Sequence, residues 1–367
     1  MDNPPPRWFR RLLMTPLVFV GAVILALVAP VILLIAAVID LVIDRKRLRV
    51  SRFVGVGLAF CVVEVYGLFA LLTVWIGSGF GLFMGRRFWV RANTVLLGQY
   101  LALITRAIRL CLGFSFFPSS DRVGAGRQLL LPRHAGPGDA FLIARVVVRD
   151  FGRRIHMVGA AKLQWDPFLD ISGERLGFHY VAANPSDRAA ELERIRQLSS
   201  SLEADETLVI FPEGGNYTTG RRVESIKALE ERGNHEQAAR ARRLKHTLLP
   251  KTGGLTAAID GAPDAIVVFV AHAGLEQLHG FGDLWASVPL NRTVRAHGWS
   301  VPINDRPSDR ASQANWLFDH WQTVDDWIES NIDYEQIQTV EAQAQAADRA
   351  QTPRGLGSSS AEPSVPY

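Results

Sequence analysis

From Leu17 to Ile39 the chain runs without a single charged residue. A bilayer core is crossed by about 20 consecutive apolar residues in a helix, so this run is long enough to reach across. It is too long for the apolar part of a secretory leader, and no small-residue cleavage site follows, so it reads as a retained anchor. A second apolar run extends from Phe53 to about Ile76 and is interrupted by Glu64. Residues 1–16 form a basic tail with Arg7, Arg10 and Arg11, and residues 17–80 a membrane-anchoring hairpin. An ionisable residue in such a segment is a functional candidate by default. No partner for Glu64 is evident in the sequence, which favours a packing or interfacial role.

The charges flanking the runs leave two topologies open. If both runs span, the ends share one side with Arg86, Arg87 and Arg91, and the loop with Arg45, Lys46, Arg47, Arg49 and Arg52 lies on the other. The balance of basic residues then favours neither orientation. In the other topology all three basic clusters stay on one leaflet. Both runs dip in and return, with breaks at Pro30 and around Gly55, Gly57, Glu64 and Gly67. Exposed non-helical backbone in hydrocarbon weighs against those breaks.

Residues 81–117 form an amphipathic linker. Leu96, Leu97, Tyr100, Leu101, Ile104 and Ile108 recur at helical spacing, with Arg106 and Arg109 beside them. Such a helix lies in the headgroup layer or packs on a soluble domain. Residues 114–120 end it at a Pro-Ser-Ser break. From 118 to 335, short apolar runs near 128–131, 155–159, 207–211, 265–271 and 294–301 read as strands. Helical patterns at 139–150, 187–203, 223–247, 252–261 and 309–331 alternate with them. That alternation predicts an α/β fold, a mixed sheet flanked by helices. Residues 336–367 are Gln/Ala-rich and then Gly/Ser/Pro-rich, a composition expected of a disordered tail.

The totals add little. Cys61 and Cys111 show no CxxC spacing, which argues against a disulfide framework or a cysteine metal site. Of 40 lysines and arginines only 5 are lysine. Forked arginine donors suit phosphate, but a GC-rich genome gives the same excess. A nucleic-acid partner is not expected.

Within 118–335 four blocks stand out. The first is His134-Ala-Gly-Pro-Gly-Asp139, after a strand. On a regular helix its histidine and aspartate would point about 140° apart. Gly136, Pro137 and Gly138 favour a turn instead, which can fold Asp139 back onto His134. A carboxylate on one ring nitrogen fixes the tautomer and leaves the other nitrogen free to accept a proton. The second block is Lys162-Leu-Gln-Trp-Asp-Pro167, leading to Gly177-Phe-His-Tyr-Val181. The third, Phe211-Pro212-Glu213-Gly214-Gly215-Asn216, ends a strand. The fourth is Leu248-Leu249-Pro250-Lys251-Thr252-Gly253-Gly254.

Together these blocks resemble the glycerolipid acyltransferase family, whose best-known members are the 1-acylglycerol-3-phosphate acyltransferases. The segment from Phe211 to Gly254 is most similar to the lysocardiolipin-like branch. The resemblance implies that His134 is the general base and Asp139 its orienting carboxylate. It implies that Pro212, Glu213, Gly214 and Gly215 shape the acceptor pocket, and that Pro250, with Lys251 beside it, is the fourth-block proline. It also implies acyl-CoA or an acyl carrier protein as donor, a lysophospholipid acceptor, a membrane surface as partner, and no cofactor or metal. The expected location is a bacterial inner membrane, with the catalytic domain on the cytoplasmic face. The sequence departs from the family at Arg133, where asparagine is usual, and at Gly215 and Asn216. It departs again at Ala183, which aligns with an arginine used on the acceptor phosphate. Arg133, Lys162, Arg221 and Arg222 are the candidates to replace that arginine.

The chemistry fits without the resemblance. A lipid hydroxyl is a poor nucleophile that a positioned base activates, and the small residues near His134 and Glu213 let backbone donors approach a developing oxyanion. No Gly-x-Ser-x-Gly elbow offers an acyl-enzyme route. The expected reaction is transfer of a fatty acyl group to 1-acylglycerol-3-phosphate at sn-2. The rivals are another lysophospholipid or glycolipid acceptor, a hydrolase, and a non-catalytic lipid-binding module. His272 and His279 lack metal-ligand spacing and read as packing or surface residues. Trp165 reads as a packing or interfacial residue.

Overall fold

The computed structural model describes residues 4–43, 45–120, 124–136, 138–182, 187–276 and 281–333. Asp44, Pro137, Ala183, His279 and the expected disordered tail lie outside these residues. Among the described residues the strands are β1 (Phe114–Ser120), β2 (Gln128–Pro132), β3 (Arg154–Ala160), β4 (His179–Val181), β5 (Glu206–Val209), β6 (Ile266–Ala273) and β7 (Arg292–Val301). They form one sheet in the order β1-β7-β6-β2-β5-β3-β4. The pairs among β2, β3, β4, β5 and β6 are parallel, as is β1 with β7, and β7 pairs antiparallel with β6. The sheet is therefore mixed, as expected.

Side chains along a strand alternate between faces, and both faces of this sheet are covered. Leu129 and Leu131 of β2 join Leu208 and Phe269 under α7 (Arg188–Ser200), α10 (Thr252–Gly261) and α12 (Arg310–Asn331). Leu130 joins Val209, Val268 and Val270 on the other face, against α5 (Asp139–Arg145), α6 (Pro167–Arg175) and the N-terminal helices. Burial on both faces explains why these strands read as continuous apolar runs.

The N-terminal layer starts with α1 (Arg7–Phe9) and a wide π-type turn, followed by α2 (Thr15–Ile43), α3 (Arg49–Gly77) and α4 (Arg87–Leu112). Taking the whole helix from Arg7 to Ile43 as one, three helices here are long and apolar enough to cross a membrane. Neither Pro30 nor the glycines of α3 interrupt them. The amphipathic linker helix α4 is packed on the sheet: Leu97, Tyr100 and Leu101 are buried with Val147 and Val148. Glu64 also has partners. It accepts from the Tyr100 hydroxyl at 2.9 Å and the Phe168 amide at 3.0 Å, and it is buried, not interfacial.

Contacts at its two ends hold the hairpin to the rest of the fold. Near the start of α2, Arg10 and Arg11 pair with Asp170 of α6 at 2.8 and 3.1 Å. At the far end Arg47 donates to the Ala286 carbonyl of α11 (Phe281–Ser287), and Arg52 to the Cys111 carbonyl of α4. Those ends are about 40 Å apart at 1.5 Å per residue, yet the same α/β body holds both. The hairpin is laid along that body, with Leu17, Leu27, Leu34 and Val42 pointing outward and exposed.

Two elements depart from expectation. Gly113, at φ 74°, ends α4, and Phe114–Ser120 is an edge strand, not a terminating loop. Pro118 is tolerated there because an edge strand leaves N–H positions unpaired. The helix expected over 223–247 is two helices, α8 (Thr219–Glu231) and α9 (His235–Arg243), divided at Gly233 with φ 74°.

Candidate active site

Register brings the blocks together. Leu130 of β2 lies opposite Val209 of β5, so His134 and Glu213 each follow by four residues. Pro132 lies opposite Val270 of β6, so His134 and His272 each follow by two. Three adjacent strands thus deliver polar side chains to one carboxyl-terminal edge, where α/β sheets hold their ligands.

The glycine turn after His134 returns the chain, and Asp139 opens α5. His134 Nδ1 lies 3.3 Å from Asp139 Oδ2, at the long end of hydrogen bonding. The same oxygen accepts from the Gly136 amide at 2.7 Å and lies 3.5 Å from His272 Nε2. Burial opposes the charge on Asp139, but His272, His134 and the Gly136 amide hold its carboxyl well below the usual carboxylate range. An ionised Asp139 places the ring hydrogen of His134 on Nδ1. Nε2 is then a free base, with no protein hydrogen bond among the described residues. The ring leans on Phe211 with centroids 4.5 Å apart.

Several residues from the four blocks do other work than expected. Glu213 is turned inward. It is buried, and its two oxygens accept from the His134 amide at 2.6 Å and the Leu248 amide at 2.7 Å. It clamps the first block to the fourth. Burial pushes its carboxyl up to about 8, against the pull of the Leu248 and His134 amides and of Arg133. Arg133 is wholly buried and cannot reach a substrate phosphate. It donates to Glu276 at 2.7 Å and to the carbonyls of His272 and His246. Arg222 also turns inward, donating to the Leu244 and Arg242 carbonyls and joining α8 to the end of α9. Pro212 and Pro250 are buried, and the Lys251 amide donates to the Pro212 carbonyl at 2.8 Å. Lys162 is exposed just after β3.

Gly214 and Gly215 lie directly under two cationic side chains. Gly214 has φ 67°, and a Cβ there would lie 2.6 Å from Lys251 Nζ; a Cβ on Gly215 would lie 2.6 Å from Arg221 Nη1. Lys251 and Arg221 therefore overhang bare backbone. Burial, with Arg188 and Arg221 close by, pulls Lys251 below the ordinary lysine value. Lys251 near Gly214 and Arg221 near Gly215, with Arg188 acting on Lys251, give this edge a positive local charge. Arg188 was not among the expected candidates.

The comparison with known families matches this edge. Residues 117–273 match the Acyltransferase family model. The chain carries an Acyltransferase domain. No curated protein and no solved structure matches the chain significantly. The domain supports acyl transfer to a lipid acceptor, and the matched segment runs from within β1 to the end of β6. It includes His134, Asp139, Glu213 and His272.

Sequence reasoning set His272 aside as a packing or surface residue. It is buried at the site, with Nε2 facing Asp139 Oδ2 and the Arg133 carbonyl at 3.3 Å. Both neighbours are acceptors, so that nitrogen carries hydrogen. The available signal was its place, directly beyond an apolar run as His134 is. Glu276 was missed for a plainer reason: only the fold reveals that Arg133 is buried and needs a counter-charge. Among the described residues no cluster of histidine, cysteine and carboxylate side chains is arranged to hold a metal.

Proposed function

We propose that this protein is a membrane-bound acyltransferase that moves a fatty acyl group from acyl-CoA or an acyl carrier protein to a lysophospholipid hydroxyl. The first acceptor to test is 1-acylglycerol-3-phosphate at sn-2, giving phosphatidic acid. The observation that carries this reading is the His134–Asp139 pair at the edge of the sheet, one ring nitrogen held and the other free. In the proposed step Nε2 takes the hydroxyl proton as the oxygen attacks the thioester carbonyl carbon. The tetrahedral oxyanion collapses, the C–S bond breaks, and the thiolate leaves with the proton from His134. The cations Lys251, Arg221 and Arg188 support an acceptor that carries phosphate, taking the part of the family's second-block arginine.

The exposed apolar face of α2 and α3 supports a lipid acceptor drawn from a bilayer. We place the catalytic domain at the cytoplasmic face of a bacterial inner membrane, and the chain beside the lysocardiolipin-like branch of the family. The test is purified protein with labelled acyl-CoA and a panel of lysolipids differing in headgroup. Transfer should be greatest to lysophosphatidic acid, and His134→Ala should lower it roughly 10²–10⁴-fold, the usual share of a general base. Transfer undiminished in His134→Ala overturns the catalytic assignment. Free fatty acid released without acceptor points to a hydrolase.

A further inference from the structure

A cavity of about 470 Å³ opens between the last turns of α4, the start of β1 and the end of α5. Its walls combine Arg106, Arg109 and Arg145 with Leu110, Phe114 and Phe116. Arg145 pairs with Asp150 at 3.4 Å. Arg106 and Arg109 are exposed and have no carboxylate partner among the described residues. They lie one turn apart on α4, so both guanidinium groups reach the same mouth. The site is separate from the catalytic edge: none of His134, Asp139, Lys251 or Arg221 lines it.

We infer that this cavity holds an anionic phospholipid of the surrounding bilayer, with its phosphate on Arg106 and Arg109 and its chain against Leu110, Phe114 and Phe116. Two unpaired guanidinium forks suit a phosphate, because each offers paired donors in its plane. The apolar half of the lining has no use for a free ion but suits an acyl chain. The volume lies within the usual range for small-molecule sites, about 300–1,000 Å³. Leu103 and Leu110, both exposed on α4, present apolar surface beside Arg106 and Arg109. A lipid entering from the leaflet would therefore pass along apolar surface before its headgroup met charge. Arg145 ends the helix that Asp139 begins, so an occupant would press on the element that carries the catalytic carboxylate.

The test is retention of lipid by the full chain in neutral detergent, read by native mass spectrometry. Phosphatidylglycerol is the probe, because it is neither substrate nor product of transfer to 1-acylglycerol-3-phosphate. One molecule should stay bound per chain, while phosphatidylcholine with the same chains should not. Arg106→Gln with Arg109→Gln should lower retention roughly tenfold or more, on the scale of two lost charged contacts. Arg45→Gln with Lys46→Gln, equally exposed and cationic, should leave it unchanged. So should Lys251→Gln with Arg221→Gln, which separates this site from the proposed acceptor site. Equal loss in the Arg45/Lys46 pair, or loss only in the Lys251/Arg221 pair, overturns the inference. Displacement of the lipid by millimolar inorganic phosphate also overturns it, since that would mean an anion site with no claim on the chain.

Discussion

Asp139 makes all of its hydrogen bonds through one oxygen. Oδ2 meets His134, Gly136 and His272, while Oδ1 is buried with no partner among the described residues. Asp139→Asn keeps the volume but presents neutral groups to two histidines. Acyl transfer should fall by about 10²-fold or more, measured with labelled donor at saturating acceptor. The same carboxylate shapes stability against pH. Its folded pKa lies below its ordinary value, as does that of Glu276, where burial is outweighed by Arg133. Groups shifted down stabilise the fold above their ordinary range and lose that contribution as pH falls. Melting temperature should therefore drop between about pH 4.5 and pH 2, and the drop should be shallower in Asp139→Asn. Glu213 runs the other way. Raised from 4.5 to about 8, it weakens the fold as pH climbs between those values. Glu213→Gln leaves one of the two backbone amides without an acceptor. That should cost about 1–3 kcal/mol in denaturant unfolding.

At the scale of elements, glycines set how closely helices approach. A Cβ on Gly261 would run into the Arg196 carbonyl of α7, which is backbone and cannot turn aside. Gly261→Ala should push α10 off α7 and destabilise the fold by about 1–3 kcal/mol, read as a lowered unfolding midpoint. Gly67 has the same role between α3 and the stacked Tyr100 and Phe168 rings, whose centroids are 3.8 Å apart. Of these two glycines, Gly67 looked in the sequence like a possible break in a membrane segment. Both are contact points between elements distant in sequence, and a period or a propensity carries no trace of them. Strand β1 was hidden similarly. Residues 114–120 follow a helix and contain proline, and only pairing with β7 makes them a strand.

At the scale of the molecule, the layout of the N-terminal hairpin makes a sharp prediction. Arg7 and Lys46 flank the two ends of α2, and both ends are held by the α/β body. Single cysteines introduced at Arg7 and Lys46, in a chain lacking Cys61 and Cys111, should react with an impermeant thiol reagent from the same side of sealed vesicles. Labelling from opposite sides would mean a spanning arrangement and would rule out the packing described here.

What the sequence determined by itself was local and periodic. Apolar length marked the anchoring helices, alternation marked the mixed sheet, and a glycine turn placed an acid where it could reach His134. Those features depend on residues close together along the chain. The tertiary structure alone decided which charges are free. Arg133, Arg222 and Glu213 read as site residues but are drawn into hydrogen bonds within the fold, while His272 reads as filler and sits at the centre. The reason is physical: a buried charge must find its partner through space, and strand register, not sequence distance, sets which groups meet at the edge of a sheet.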